Sequence, residues 1–271
     1  MLVTYPTNPT EMAGLSTTEL RDRFLLADLF APGEVRLAQT NHDRLIVGGA
    51  CPSGGSVDLP VPADLRAQHF CDRRELAVVC LDGTGTVEVD DETYTLAALD
   101  VLYVGQGSRN VRFAGTATYY LASAPAHRRE PTRLARRDDA EALHLGAPAE
   151  ANVRTIRKYV HSGGLASNQL VLGITELAEG SVWNTMPCHL HERRTEIYLY
   201  FGLPETGRVM HLCGEPRNSR SLIVANQQAV VSPPWSIHCG AGTSAYSFVW
   251  AMAGENTDYT DVDVVDMDDL R

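Results

Sequence analysis

The stretch Trp183–Phe201, WNTMPCHLHERRTEIYLYF, decides how the rest of the chain is read. It holds two segments of strand length joined by the polar run Glu192-Arg193-Arg194-Thr195. Residues two apart on a strand project to the same face, so His189 and His191 point together while Cys188 points the other way. The polar bend resets the side-chain phase. Glu196, at the head of the run Glu196–Phe201, therefore rejoins the two histidines on the inner wall of a closed sheet. A third histidine, His238, ends Pro233-Pro234-Trp235-Ser236-Ile237-His238 and reaches the same interior from a strand lying across the barrel. Three imidazoles and one carboxylate suit Zn, Fe, Mn, Co or Ni and leave positions open for water or substrate.

Outward from this stretch the pattern is one of short strands. Runs such as Leu76–Leu81, Val101–Val104, Arg154–Val160 and Tyr246–Met252 are bounded by Gly, Asp, Asn or Pro and recur about every ten residues, which predicts an all-β sandwich or barrel. Residues 16–30 depart from it: Ser16 and Glu19 have capping-box spacing, and Leu20, Phe24 and Ala27 mark one helical face. Residues 125–152, rich in Arg, Asp, Ala and Pro, read as a linker with a short helix near Asp138–Leu143. The two flanks look like repeats. Asp72-Arg73-Arg74-Glu75-Leu76 precedes an apolar strand in one, and Glu192-Arg193-Arg194-Thr195-Glu196 precedes one in the other. Two tandem barrels follow, spanning 1–124 and 153–271. Setting Asp72 against Glu192 places His69 and Cys71 where His189 and His191 stand, and Glu75 near Glu196. Ser108–Asn110 supplies no ligand where His238 would fall. The first barrel is thus expected to lack a complete metal site and to act as scaffold or interface.

The charge excludes some partners. Thirty-four acids against 23 bases give −11, a balance that does not attract nucleic acid or anionic membranes. No apolar run approaches the roughly 18 residues of a membrane span, and Met1–Thr18 lacks the apolar centre of a secretory signal. With six cysteines and no CxxC pair, reduced thiols and a cytoplasmic location are expected. The acid-rich run from Glu255 to Arg271 reads as a solvated edge. Of the bases, only Lys158 is lysine, and strand alternation puts it on one face with Arg154 and Ile156.

His-x-His-x4-Glu followed by Pro-x4-His resembles the two-motif metal site of cupins, with Trp235 where cupins usually carry glycine. The neighbouring words narrow the match. Trp183–His189, His191–Arg194, Ser232–His238, Gly254-Glu255-Asn256 and Asp269-Leu270-Arg271, with Asp43–Gly49, Arg73–Leu76 and Leu102–Gly105 in the first half, are similar to the 5-keto-4-deoxyuronate isomerase family. The resemblance covers nearly the whole chain; residues 50–70 and the linker depart from it. It implies a bicupin with one zinc in the C-terminal barrel, held by His189, His191, Glu196 and His238, and assembly into hexamers. It also implies conversion of 4-deoxy-L-threo-5-hexosulose uronate to 3-deoxy-D-glycero-2,5-hexodiulosonate.

Such a reaction needs an acid–base group and a cation for the uronate carboxylate. Glu196, Lys158 and Tyr198 are the candidates for chemistry, and Lys158, Arg193 and Arg194 for the carboxylate. Two other readings stay open from the residues alone: an Fe(II) dioxygenase on the same ligands, and a non-catalytic binder of sugar acids.

Overall fold

The computed structural model describes residues 1–271. Its frame is two seven-stranded sheets, each partnered by a smaller one. In the first, the strand order runs Leu2–Thr4, Val35–Thr40, Ile46–Ala50, Thr118–Pro125, Arg74–Asp82, Val101–Val104 and Arg133–Ala135. The second repeats the order with Glu141–Leu145, Arg154–Val160, Val171–Leu177, Ser247–Gly254, Arg194–Phe201, Gln228–Ser232 and Leu25–Leu26. The duplication read from the sequence is therefore a duplication of topology.

The central strand Arg194–Phe201 is buried along its length, because its two faces serve two cores. Tyr198 and Tyr200 join Phe248, Trp250 and Met252 inside the second barrel. Ile197, Leu199 and Phe201 join Ala77, Val79, Tyr103 and Tyr120 of the first sheet in a cluster shared by both halves. Each such Leu, Ile or Val contributes roughly 1.5–3 kcal/mol on burial, so the junction between the barrels is a core in its own right. The first barrel's interior is filled with apolar side chains, among them Ile46, Leu76, Val78, Leu102 and Phe113.

The ends of the chain cross between units. The capping box at Ser16 starts a helix as expected, but that helix spans Thr17–Phe24 and stops short of residue 30. Leu25 and Leu26 turn extended and pair with Val230 and Ala229 of the second barrel. Met12, Leu20 and Phe24 pack in that barrel's interior cluster, although in sequence they lie between the first barrel's strands Leu2–Thr4 and Val35–Thr40. The expected linker helix is also corrected: Arg137–Asp139 forms a single 3-10 turn, and Glu141–Leu145 is a strand paired with Arg154–Lys158. Arg133–Ala135 completes the first sheet against Val101–Tyr103. Edge pairing available on both sheets outweighs the weak local helix preference of this segment.

Candidate metal centre and its cavity

His189 and His191 lie at the end of Trp183–Leu190 and just beyond it, and His189 stands opposite His238 in the antiparallel register. Glu196 enters from the adjacent large sheet. The ligand-type atoms of His189, His191, Glu196 and His238 all lie within 4.8 Å of one another. His238 Nε2 is 3.1 Å from His189 Nε2 and 2.7 Å from Glu196 Oε2, and His191 Nε2 is 3.1 Å from the same oxygen. His191, Glu196 and His238 are buried, and His189 is half-buried.

The donor set fits a metal ion. Two imidazole nitrogens facing each other at 3.1 Å can share one proton at most, whereas one cation satisfies all four lone pairs at once. The outer nitrogen of His191, Nδ1, lies 2.9 Å from the Asp261 carbonyl; a proton there leaves the Nε2 lone pair free to bind metal. Burial pushes the His189 imidazole down to about 3, with His238 adding to the shift, so the ring is neutral as a ligand must be. At Glu196 burial works to raise the carboxyl. The facing His238 and His191 override it and hold the group well below the ordinary carboxylate range.

A cavity of about 350 Å³ opens onto this cluster, walled by Tyr198, Phe248, Trp250 and Met252 and edged by Thr185 and Tyr259. Trp250 owes its place to Gly173 opposite it: a Cβ there would meet the indole at 2.0 Å. Tyr198 Oη lies 3.3 Å from Thr185 Oγ1, and burial, then the Glu196 charge, raise the phenol well above its usual value. Tyr198 therefore stays protonated and has a proton to donate.

The structure corrects the reading of the acidic C-terminal run. Tyr259, Thr260 and Val262 form one side of the cavity, so the segment is a strap over the site rather than a solvated edge. Its acids hold the two arginines expected at substrate. Arg193 Nε donates to both Asp261 carboxylate oxygens at 2.8 and 2.9 Å, and its Nη2 reaches Asp263 at 2.8 Å. Arg194, fully buried, donates to the Asp258 and Asp261 carbonyls. Neither guanidinium lines the cavity; both position the strap. Lys158 also lies outside the lining. Its Nζ pairs with Glu141 at 2.7 Å and sits 4.9 Å above the Tyr259 ring, and its side chain is only 12% exposed. The strap residues had one sequence signal, the apolar Tyr259 and Val262 spaced among the acids.

Loosening the strap should act on substrate binding more than on folding. Arg193→Ala is expected to raise KM several-fold and move Tm little, because the ion pairs it removes are only half-buried. Steady-state kinetics beside a melting curve check this; unchanged KM would leave the strap without a part in binding.

The first barrel's expected ligand echo is also corrected. Arg74 pairs with Pro125 as Arg194 pairs with Gly254, so Leu76, not Glu75, stands where Glu196 stands. Glu75 points to the opposite face, where it accepts from the Asn168, Gln169 and Leu170 backbone N–H groups and the Tyr103 hydroxyl.

Two stacked β-barrels, one carrying three histidines and a glutamate on its inner wall, define a bicupin with a single candidate metal centre. Residues 41–268 match the KduI/IolB family, and the chain belongs to it. It is 50% identical to the 4-deoxy-L-threo-5-hexosulose-uronate ketol-isomerase of Kineococcus radiotolerans over 98% of this chain and 99% of that protein. It is 47% identical to the enzyme of the same name from Shouchella clausii over the full length of both. Among solved structures, an IolB-like protein from Salmonella typhimurium superposes with a TM-score of 0.73 at 16% identity, over 89% of this chain and 96% of that one. Lactobacillus farciminis oxalate decarboxylase does so at 0.61 and 12%, over 89% and 88%. These two show a shared fold.

Proposed function

We propose that the protein is a metal-dependent ketol-isomerase that converts 4-deoxy-L-threo-5-hexosulose uronate to 3-deoxy-D-glycero-2,5-hexodiulosonate. The observation that carries the reading is the four-ligand cluster opening onto a cavity of sugar size, in a chain half identical to ketol-isomerases over its whole length. His189, His191, Glu196 and His238 are the proposed ligands. A divalent ion held there, zinc by family resemblance, would polarise the substrate carbonyl and stabilise the developing oxyanion.

The reaction moves a proton from C2 to C1 and a hydroxyl proton from O2 to O1, turning the aldehyde into a hydroxymethyl group and C2 into a ketone. Glu196 is the one carboxylate lining the cavity and is assigned the transfer from C2 to C1, in addition to its place as ligand. Tyr198, held protonated, donates to the oxygen that gains charge. The apolar wall of Phe248, Trp250 and Met252 excludes water from the enediolate. Lys158 is assigned the uronate carboxylate at the cavity's edge, reached past Tyr259 by exchanging its partner Glu141 for substrate. The proposed setting is a hexamer, by family resemblance, in the cytoplasm, from the cysteine pattern and the polar N-terminal stretch.

Incubation of the metal-loaded protein with the ketouronate, followed by NMR, tests the activity. Appearance of the 2,5-diketo product without oxygen uptake is expected; binding without turnover, or oxygen consumption, would sink it. Lys158 has its own test. Lys158→Ala and Lys158→Arg should both keep the metal and lower kcat/KM at least about tenfold, the geometry mattering as well as the charge. Wild-type kinetics in Lys158→Ala would remove Lys158 from the site.

A further inference from the structure

The first barrel has a pocket of its own, at the end that corresponds to the strap-covered end of the second. It measures about 390 Å³, and Arg44, Arg66, Arg73 and Arg74 line it with Asp64 as the one acid. Four guanidiniums against one carboxylate leave an excess of three positive charges, in a chain whose net charge is −11.

Comparison of the two barrels shows what is missing. Arg73-Arg74 and Arg193-Arg194 occupy equivalent places, since Arg74 pairs with Pro125 as Arg194 pairs with Gly254. After Gly254 the chain folds back and brings Asp258, Asp261 and Asp263 to the arginine pair. After Pro125 it leaves for the linker, and the His127 and Arg128 backbone N–H groups instead donate to Asn168 Oδ1. Arg73 is left donating to the Leu65 and Arg66 carbonyls. Arg74, 7% exposed, donates from Nε and Nη2 to Ser123 Oγ, Ser123 O and the Arg44 carbonyl. It has no carboxylate within ion-pair distance, and its Nη1 has no protein partner. Burial, with Arg44 adding its repulsion, pushes the Arg74 guanidinium down to about 10. A buried cation with no carboxylate in contact is costly; the neighbouring Glu75 charge offsets part of that cost and Arg44 adds to it.

We propose that this cavity is a binding site for a small oxyanion of two or more charges, a phosphate- or carboxylate-bearing metabolite, which takes the place that the strap's aspartates hold in the second barrel. Guanidinium forks match both oxyanions in bidentate geometry, and the cavity admits a molecule of about sugar-acid size. The site is independent of the metal centre and of the activity assigned to it.

Calorimetric titration of the full-length, metal-loaded protein at low ionic strength tests the proposal, with inorganic pyrophosphate and tartrate as separate probes. One site per chain is expected for at least one probe, and the tighter of the two identifies the phosphate or carboxylate source. Arg44→Gln/Arg66→Gln changes two exposed side chains, so folding is not at stake, and should weaken that binding at least about tenfold. Added salt should weaken it as well. The absence of heat with both probes up to millimolar concentration would overturn the site. So would equal affinity in wild type and double variant, or binding that disappears in His238→Ala while surviving in the arginine variant.

Discussion

His238→Ala is expected to leave a folded β-protein that no longer holds metal and turns over substrate at least about a thousandfold more slowly, a loss of several kcal/mol in transition-state stabilisation. The asymmetry between fold and activity follows from where His238 sits. Its ring is fully buried, yet it belongs to a ligand cluster at the cavity, while the barrel's stability rests on Tyr200, Val230, Phe248 and their neighbours. Such a site differs from a zinc finger, in which the metal replaces a core. Truncating the imidazole removes one of four donors and leaves Glu196 Oε2 without its 2.7 Å partner, so the remaining three ligands hold the ion far more weakly. Metal analysis, circular dichroism and turnover on the same preparation check the three parts of the expectation. Substantial isomerase activity in the metal-free variant would overturn the ligand assignment, and loss of the β spectrum would overturn the claim that the metal is dispensable for folding.

Glu75→Ala has the opposite profile: a large loss of stability with the metal centre intact. The carboxylate is wholly buried between the barrels, 93 to 95 residues in sequence from the backbone donors it satisfies. Oε1 accepts from the Gln169 and Leu170 N–H groups, both at 2.8 Å; Oε2 accepts from Asn168 N–H at 2.7 Å and from Tyr103 Oη at 2.7 Å. Removing it orphans several donors at a buried junction, for which about 3–5 kcal/mol is expected. On a chain of this size that is a shift in Tm of roughly 6–20 °C. At permissive temperature the variant should bind one metal per chain and keep its KM. A melting temperature within a degree or two of wild type would mean that the loop 168–170 finds other partners.

The counterpart contact, Asp43 Oδ2 accepting from Thr195 N–H at 2.8 Å, reaches in the other direction across the same junction. Thr195 stands where Glu75 stands in the first barrel, one residue before Glu196. The residue that ties the units together and the residue that lines the cavity are therefore neighbours on one strand, pointing to opposite faces.

The all-β class, the duplication, the capping box at Ser16 and the four ligand candidates were legible in the residues themselves, because each rests on a local rule. Alternation on a strand brings His189 and His191 to one side whatever surrounds them, and a bend after them resets the phase for Glu196. What Arg193, Arg194, Glu75 and the acidic C-terminal run do was decided by contacts between residues far apart in the chain. A guanidinium beside an active-site motif has the same local sequence whether it faces a ligand or, as here, a strap 64 to 70 residues further on. Glu75 reads as an echo of Glu196 until the register moves it one position and so to the opposite face of its sheet. Leu25-Leu26 and Glu141–Leu145 leave their local preferences because open sheet edges, built from distant strands, offer them backbone hydrogen bonds. Local periodicity is set by covalent geometry and is present in any stretch of chain; a partner for a charge or an edge exists only once the chain has closed on itself.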